Sequence, residues 1–162
     1  MIQPDFSSFK KHHRRVLLDM HIPDWDPSFL EKFNPKKLAE NYAKANIDSA
    51  MIYTQSHTGF CFWPIKDGYA HPFINGRDWV KEISDELRKR DISVYGYYSG
   101  IFNNKAFLDH PEWRIEPRPD MSGGAFHGAR YGHVCPNNKA YLAFIKSQLD
   151  DLMKDHSFDA FL

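Results

Sequence analysis

The chain has 162 residues, 42% of them hydrophobic and 26% charged, and its 21 basic residues balance 21 acidic ones. That length suffices for one domain with a core of its own. The balanced charge gives no electrostatic reason to expect a nucleic acid or an anionic membrane surface as partner. No apolar run is long enough to span a membrane. The N-terminal residues lack the charged and apolar regions of a secretory signal, so a cytoplasmic location is the default expectation. Two cysteines, Cys61 and Cys135, do not make a disulfide framework.

The basic cluster from Lys10 to Arg15 reads as a solvated lead-in to the first strand, expected over residues 16–20. A loop with Pro23 and Pro27 comes next, then a short apolar cluster at Phe29, Leu30 and Phe33. Asn34 as N-cap and Pro35 at the first helical position begin the first helix. Leu38, Ala39, Tyr42 and Ala43 share its buried face. A second strand is expected over 50–54, a loop over 55–75, and a helix over 77–90 with Val80, Ile83 and Leu87 inward. A third strand is expected over 93–98. The longest loop then covers roughly 99–137, and a helix over 139–154 buries Tyr141, Leu142, Ile145, Leu149 and Leu152. Residues 158–162 begin a fourth strand.

Strands alternating with helices imply parallel strands joined by right-handed crossovers. Helix-to-strand connections are short and strand-to-helix connections are long, which places function after the strand C-termini. No Gly-rich phosphate loop follows any strand: Tyr95-Gly96-Tyr97-Tyr98-Ser99-Gly100 lacks the spacing of a dinucleotide fingerprint, and no cofactor is expected. The fold class is α/β, read as a (β/α)8 TIM barrel of which about the first four strands and three helices are present. A complete barrel needs about 250 residues, and a buried parallel strand rarely ends a domain because one edge is left unpaired. The expectation is therefore an N-terminal half-barrel fragment, with a half-barrel oligomer as the alternative.

Chemistry-bearing residues gather at the expected strand ends. Asp19 and His21 follow strand one and share a face by the period of two. They suit a sugar-binding pair, a structural Asp–His hydrogen bond, or half of a metal site in a metal-dependent hydrolase. After strand two, His57 precedes a glycine turn and an aromatic series, Phe60, Phe62 and Trp63. Histidine can donate to or accept from a sugar hydroxyl, and Trp63 offers a flat face for the C–H side of a pyranose. Phe60 and Phe62 serve equally well as core. After strand three, adjacent tyrosines face opposite ways, and Tyr98, nearer the strand end, is taken as the one pointing into the barrel. In the long loop, Trp113 is a candidate sugar platform and Glu112 the best-placed acid. Cys135 with His133 makes a poor nucleophile–base pair, and His127, His133 and Cys135 match no standard zinc spacing. Cys61 is expected to be neutral and buried.

Ser56-His57-Thr58-Gly59-Phe60-Cys61-Phe62-Trp63-Pro64 resembles the His-His-Asp-Gly-Phe-x-x-Trp-Pro motif of the α-L-fucosidase glycoside hydrolases. Leu18-Asp19-Met20-His21 lies where that family has its strand-one histidine. Val94 to Ser99 resembles its third strand, Ser147 to Leu152 its Gln-Leu-x-Glu-Leu helix, and Phe158 to Leu162 the strand that leads to its nucleophilic aspartate. The chain departs from the motif at Ser56, Thr58 and Ile22-Pro23, and is also similar to a broader group of hypothetical glycosyl hydrolases whose first strand often carries Asp-x-His. The resemblance implies a retaining glycosidase with a carbohydrate substrate. His21 and His57 would bind hydroxyls and Trp63 would form an aromatic wall. The nucleophile falls just past Leu162 and the acid/base further on. Asp19, His21, His57, Trp63, Tyr98 and Trp113 form the expected substrate-binding set. A non-catalytic carbohydrate-binding module is the other alternative, and an oligomer is compatible with each reading.

Overall fold

The computed structural model describes residues 7–115 and 131–162. Four strands, β1 (Arg15–Leu18), β2 (Ser49–Gln55), β3 (Ser93–Tyr98) and β4 (Ala160–Phe161), form one parallel sheet in the order β1-β2-β3-β4. The register runs Arg15 to Ser49 to Ser93 along the lower edge, and Gly96 pairs with Phe161. Sequential order with one hand of crossover puts every crossover helix on the same face. Val16, Leu18, Ala50, Ile52 and Val94 pack on that face into one core with Leu38, Val80, Ile83, Leu87, Ile145 and Leu152. Alternate residues turn to the opposite face by the period of two. At its lower end His12 closes that face, with Nδ1 3.0 Å from the Tyr95 hydroxyl and Nε2 3.2 Å from Ser93 Oγ. The basic lead-in is therefore split: Lys10 and Lys11 are exposed on the short helix α1 (Ser7–Lys11), while the His13 and Arg14 amides donate to Asp48.

The helices begin where cap chemistry dictates. After the one-turn α2 (Ser28–Glu31), α3 (Pro35–Lys44) starts with Asn34 accepting from the Lys37 amide at 3.0 Å, and α4 (Trp79–Arg88) with Asp78 accepting from the Lys81 amide at 2.9 Å. Asn46 and Asp91 then take left-handed φ values of 53° and 57° to turn the chain into the next strand.

Three expectations change. Strand one ends at Leu18, so Asp19 and His21 lie in the loop after it, and the fourth strand is confined to Ala160–Phe161. The long stretch expected as a loop contains α5 (Asn104–Asp109) and a 3-10 turn at Pro111–Trp113. Asn103 caps α5 through the Ala106 amide at 2.9 Å. Ala106, Trp113, Val134 and Tyr141 form a second small core beneath it, with Tyr141 contributed by α6 (Lys139–Asp155). Among the described residues no helix is long and apolar enough to cross a membrane.

His156 ties α6 to α4. Its Nδ1 donates to the Leu152 carbonyl at 2.8 Å and its Nε2 lies 3.0 Å from both Asp78 carboxylate oxygens. Burial opposes its charge, but the Asp78 carboxylate and the Leu152 carbonyl raise its pKa above the usual histidine value. A raised folded-state pKa adds stability that is fully present below the unfolded pKa near 6.5 and is lost as pH climbs through the folded value. Asp78→Asn keeps a helix cap and removes the charge. It should lower the Tm by roughly 2–8 °C at pH 6 and by much less at pH 8.5; a pH-independent difference would show that the ion pair is not the source.

Candidate functional site

The site grows from an irregularity in β2. Tyr53 pairs with Tyr97 and Gln55 with Tyr98, so Thr54 is an extra residue in the ladder. A bulge bends the strand and re-aims the residues after it. The Thr54 hydroxyl donates to the Tyr97 carbonyl at 2.8 Å, and the Gln55 side-chain oxygen accepts from the Ser99 amide at 3.2 Å. The chain then closes a tight turn, Gly59 N–H to Ser56 carbonyl at 2.9 Å, with Gly59 at φ 93°. The Ser56 and Thr58 hydroxyls bond each other at 2.6 Å. The carbonyls of His57 and Thr58 accept from the Asn104 and Lys105 amides, each at 3.0 Å. His57 is thus held between the end of β2 and the start of α5.

From that position the His57 Nε2 lies 2.8 Å from the Tyr97 hydroxyl, and its ring stacks on Phe102 with centroids 4.6 Å apart. The ring of His21 meets it edge-on at 4.3 Å and also meets Tyr53 at 5.0 Å and Tyr131 at 5.4 Å. Tyr53 and Tyr97 touch at 4.3 Å. Asp19 Oδ1 takes a hydrogen bond from His21 Nδ1 and another from the His21 amide at 3.1 Å. That puts a proton on Nδ1, and Nε2 is enclosed with no hydrogen-bond partner among the described residues. The loop carrying this pair is pinned by the buried His71, whose Nε2 donates to the Ile22 carbonyl at 3.2 Å while its Nδ1 accepts from the Phe73 amide.

Charge at the site is set by these contacts. Burial opposes ionisation of Asp19, but the hydrogen bonds and charge of His21 outweigh it and hold the carboxyl below its usual range. Burial, and then the neighbouring His21, lower the pKa of His57, which stays neutral at pH 7. Burial together with Asp19, Tyr97 and Tyr131 pushes the Tyr53 phenol up to about 12. The result is one carboxylate beside imidazole and phenol groups, a set suited to the hydroxyls of an uncharged polyol.

Asp19, His21 and His57 are therefore brought together. Three other expectations are corrected. Trp63 is 2% exposed: its ring lies in the main core and its indole N–H donates to Asp151 at 3.1 Å. Tyr98 is 7% exposed and donates to Gln148 of α6 at 2.6 Å. Its neighbour Tyr97 takes the inward place, because Val94, Gly96 and Tyr98 share the helix-packed face. Trp113 stacks on His110 at 3.6 Å and packs against Tyr141 and Phe144, with no open face to offer. Glu112 is exposed and bonds His110 at 3.2 Å. Cys61 is buried, which pushes its thiol pKa well up. Cys135 is a free thiol and His133 rests on Phe102 at 4.4 Å, while His127 lies outside the described residues. Among the described residues no group of three or more His, Cys, Asp or Glu is arranged to hold a metal ion. Tyr53, Tyr97, Phe102 and Tyr131 are additions to the expected set. The apolar or small Val94 and Gly96 were the signal for Tyr97; the other three carry no local signal.

A family model described as hypothetical glycosyl hydrolase 6 matches residues 34–162, most of the chain. The chain belongs to that family. No curated protein matches this chain in sequence. Its fold is similar to α-L-fucosidase isoenzyme 2 from Paenibacillus thiaminolyticus, with a TM-score of 0.82 and 20% identity over 93% of this chain and 23% of that one. It is also similar to the α-fucosidase of Thermotoga maritima, with a TM-score of 0.60 and 23% identity over 81% of this chain and 28% of that one. An α-L-fucosidase from Bacteroides thetaiotaomicron shares 26% identity at a TM-score of 0.52, over 80% of this chain and 25% of its own. This family member thus spans about a quarter of the length of these solved structures.

Proposed function

We propose that this chain is the N-terminal part of a (β/α)8 barrel that hydrolyses O-glycosides in the manner of the α-L-fucosidases, with retention, and that it supplies the hydroxyl-binding side of the site. The observation that carries the reading is the cluster of His21 and His57, which follow β1 and β2, with Tyr97 near the end of β3, at one end of three consecutive parallel strands. Active sites of such barrels are built on that face. The sequential all-parallel order of four strands among the described residues suits half of an eight-stranded barrel. Membership in a glycosyl hydrolase family and the likeness to three α-L-fucosidases support the same chemistry.

In this reading His21 offers Nε2 to a sugar hydroxyl, and the hydrogen bond from Nδ1 to Asp19 orients the ring. His57 and Tyr97 share a hydrogen bond whose free valences face the same ligand. A retaining mechanism needs two carboxyl groups about 5–5.5 Å apart, and both belong to residues after Leu162. The full-length protein should therefore hydrolyse α-L-fucosyl fluoride or an aryl α-L-fucoside with retention, as followed by NMR of the first-formed anomer. The isolated 162-residue chain should show no turnover. Hydrolysis by the isolated chain would overturn the division of labour. Sugar binding by the full-length protein without any turnover would replace the hydrolase reading with a binding module.

A further inference from the structure

Beside the histidine cluster lies a cleft of about 260 Å³ between the loop after β1 and helix α5. His21 forms its inner wall, and Trp25, Phe60, Asn104, Lys105 and Leu108 line the rest. Trp25 is 77% exposed and Leu108 58% exposed, an unusual amount of apolar surface at the rim of a polar site. The polar groups are fixed in place. Lys105 is held by Asp109 at 3.0 Å and lies over the Tyr69 ring at 5.3 Å. The Asn104 side-chain oxygen accepts from the Gly132 amide at 3.1 Å, which leaves its NH2 group to donate.

We infer that this cleft is a second sugar subsite, which takes the ring attached to the unit held by His21, His57 and Tyr97. A pyranose presents a flat C–H face to an indole and hydroxyls at its rim, and the cleft pairs one exposed Trp with a fixed cation and an amide donor. Its volume lies below the 300–1,000 Å³ of drug-sized sites, so it accommodates one ring and not an extended chain. His21 belongs to both walls: its ring touches His57 at 4.3 Å and also lines the cleft, so the two rings lie on either side of one imidazole. The substrate is then at least a disaccharide, and Trp25 is a specificity determinant for what is attached to the reacting sugar. This inference rests on the glycosidase reading above.

The test uses the full-length protein with Trp25→Ala and Trp25→Phe. On an α-L-fucosyl-hexose disaccharide, Trp25→Ala should lower kcat/KM about tenfold, and Trp25→Phe should recover most of the loss. On α-L-fucosyl fluoride, whose leaving group is a single atom, both variants should stay within about twofold of the parent. An equal loss on both substrates, or no loss on the disaccharide, overturns the subsite while leaving the glycosidase reading intact. If the protein hydrolyses neither substrate, the glycosidase reading fails by itself. The subsite is then judged by calorimetric titration with the same disaccharide: weaker binding by Trp25→Ala supports it, and equal binding overturns it. Because Trp25 projects into solvent, its truncation leaves the Tm unchanged.

Discussion

On the proposed glycosidase reading, replacing His57 by alanine in the full-length protein is expected to lower kcat/KM by about 10²-fold while moving the Tm by no more than about 2 °C. The loss follows from where the ring sits. The turn that carries His57 is held by two backbone hydrogen bonds to α5, and its ring touches His21 at 4.3 Å and bonds Tyr97 at 2.8 Å. Hydrogen bonds to sugar hydroxyls strengthen as charge develops on the ring, and together they supply several kcal/mol of transition-state stabilisation in glycosidases. A neutral imidazole, kept so by burial and by His21, can act either as donor or as acceptor there. Tyr97→Phe removes one member of the pair and should cost about tenfold. Tyr98→Phe should leave the rate unchanged and lower stability instead, because its hydroxyl satisfies the buried Gln148. Equal rate effects at the two tyrosines would refute the inward assignment of Tyr97.

The largest stability effect is expected at Gly59. Its φ of 93° is a conformation that side chains with a Cβ rarely adopt, at a cost of about 1–3 kcal/mol. An added Cβ would also lie 2.3 Å from Asn103 Oδ1 and 2.9 Å from the Lys105 amide nitrogen. Asn103 is the cap of α5 and the Lys105 amide bonds Thr58, so the obstruction is backbone and cap, not a flexible side-chain tip. Gly59→Ala should therefore destabilise the domain by roughly 2–4 kcal/mol and lower the Tm by about 5–15 °C. It should also displace His57, whose carbonyl bonds the same turn of α5. Gly76→Ala is the internal control: φ is 73° there, but an added Cβ meets nothing within 4 Å. That change should cost only the backbone strain, about 1 kcal/mol. Thermal unfolding of both variants separates strain from obstruction; equal shifts would mean that the contact with α5 does not matter.

Much of the architecture was legible in the chain itself. The alternation of strands and helices, the cap at Asn34 and the short helix-to-strand links depend on periodicity and on hydrogen bonds between near neighbours. Those interactions are local, so a sequence displays them directly. The same logic placed Asp19, His21 and His57 after strand ends, where loops carry function. The resemblance to α-L-fucosidases rested on the stretch around His57, and family membership agrees with it.

What the sequence could not settle was the direction of each ring. Strand alternation allows either Tyr97 or Tyr98 to face inward, and the helix-packed set of Val94 and Gly96 decides it. The bulge at Thr54 arises from the pairing of β2 with β3, a relation between residues about forty positions apart. Trp63 and Trp113 turn into cores because Asp151, Tyr141 and Phe144 of α6 meet them there, and Trp25 projects because nothing among the described residues covers it. The sequence by itself determined the order of the four strands and of the three long helices between them, since those depend on local chemistry, whereas the ends of β1 and β4 and the short α5 emerged only in the structure. Only the tertiary structure decided which aromatic rings are buried and which are left open, since that depends on which distant side chains cover them.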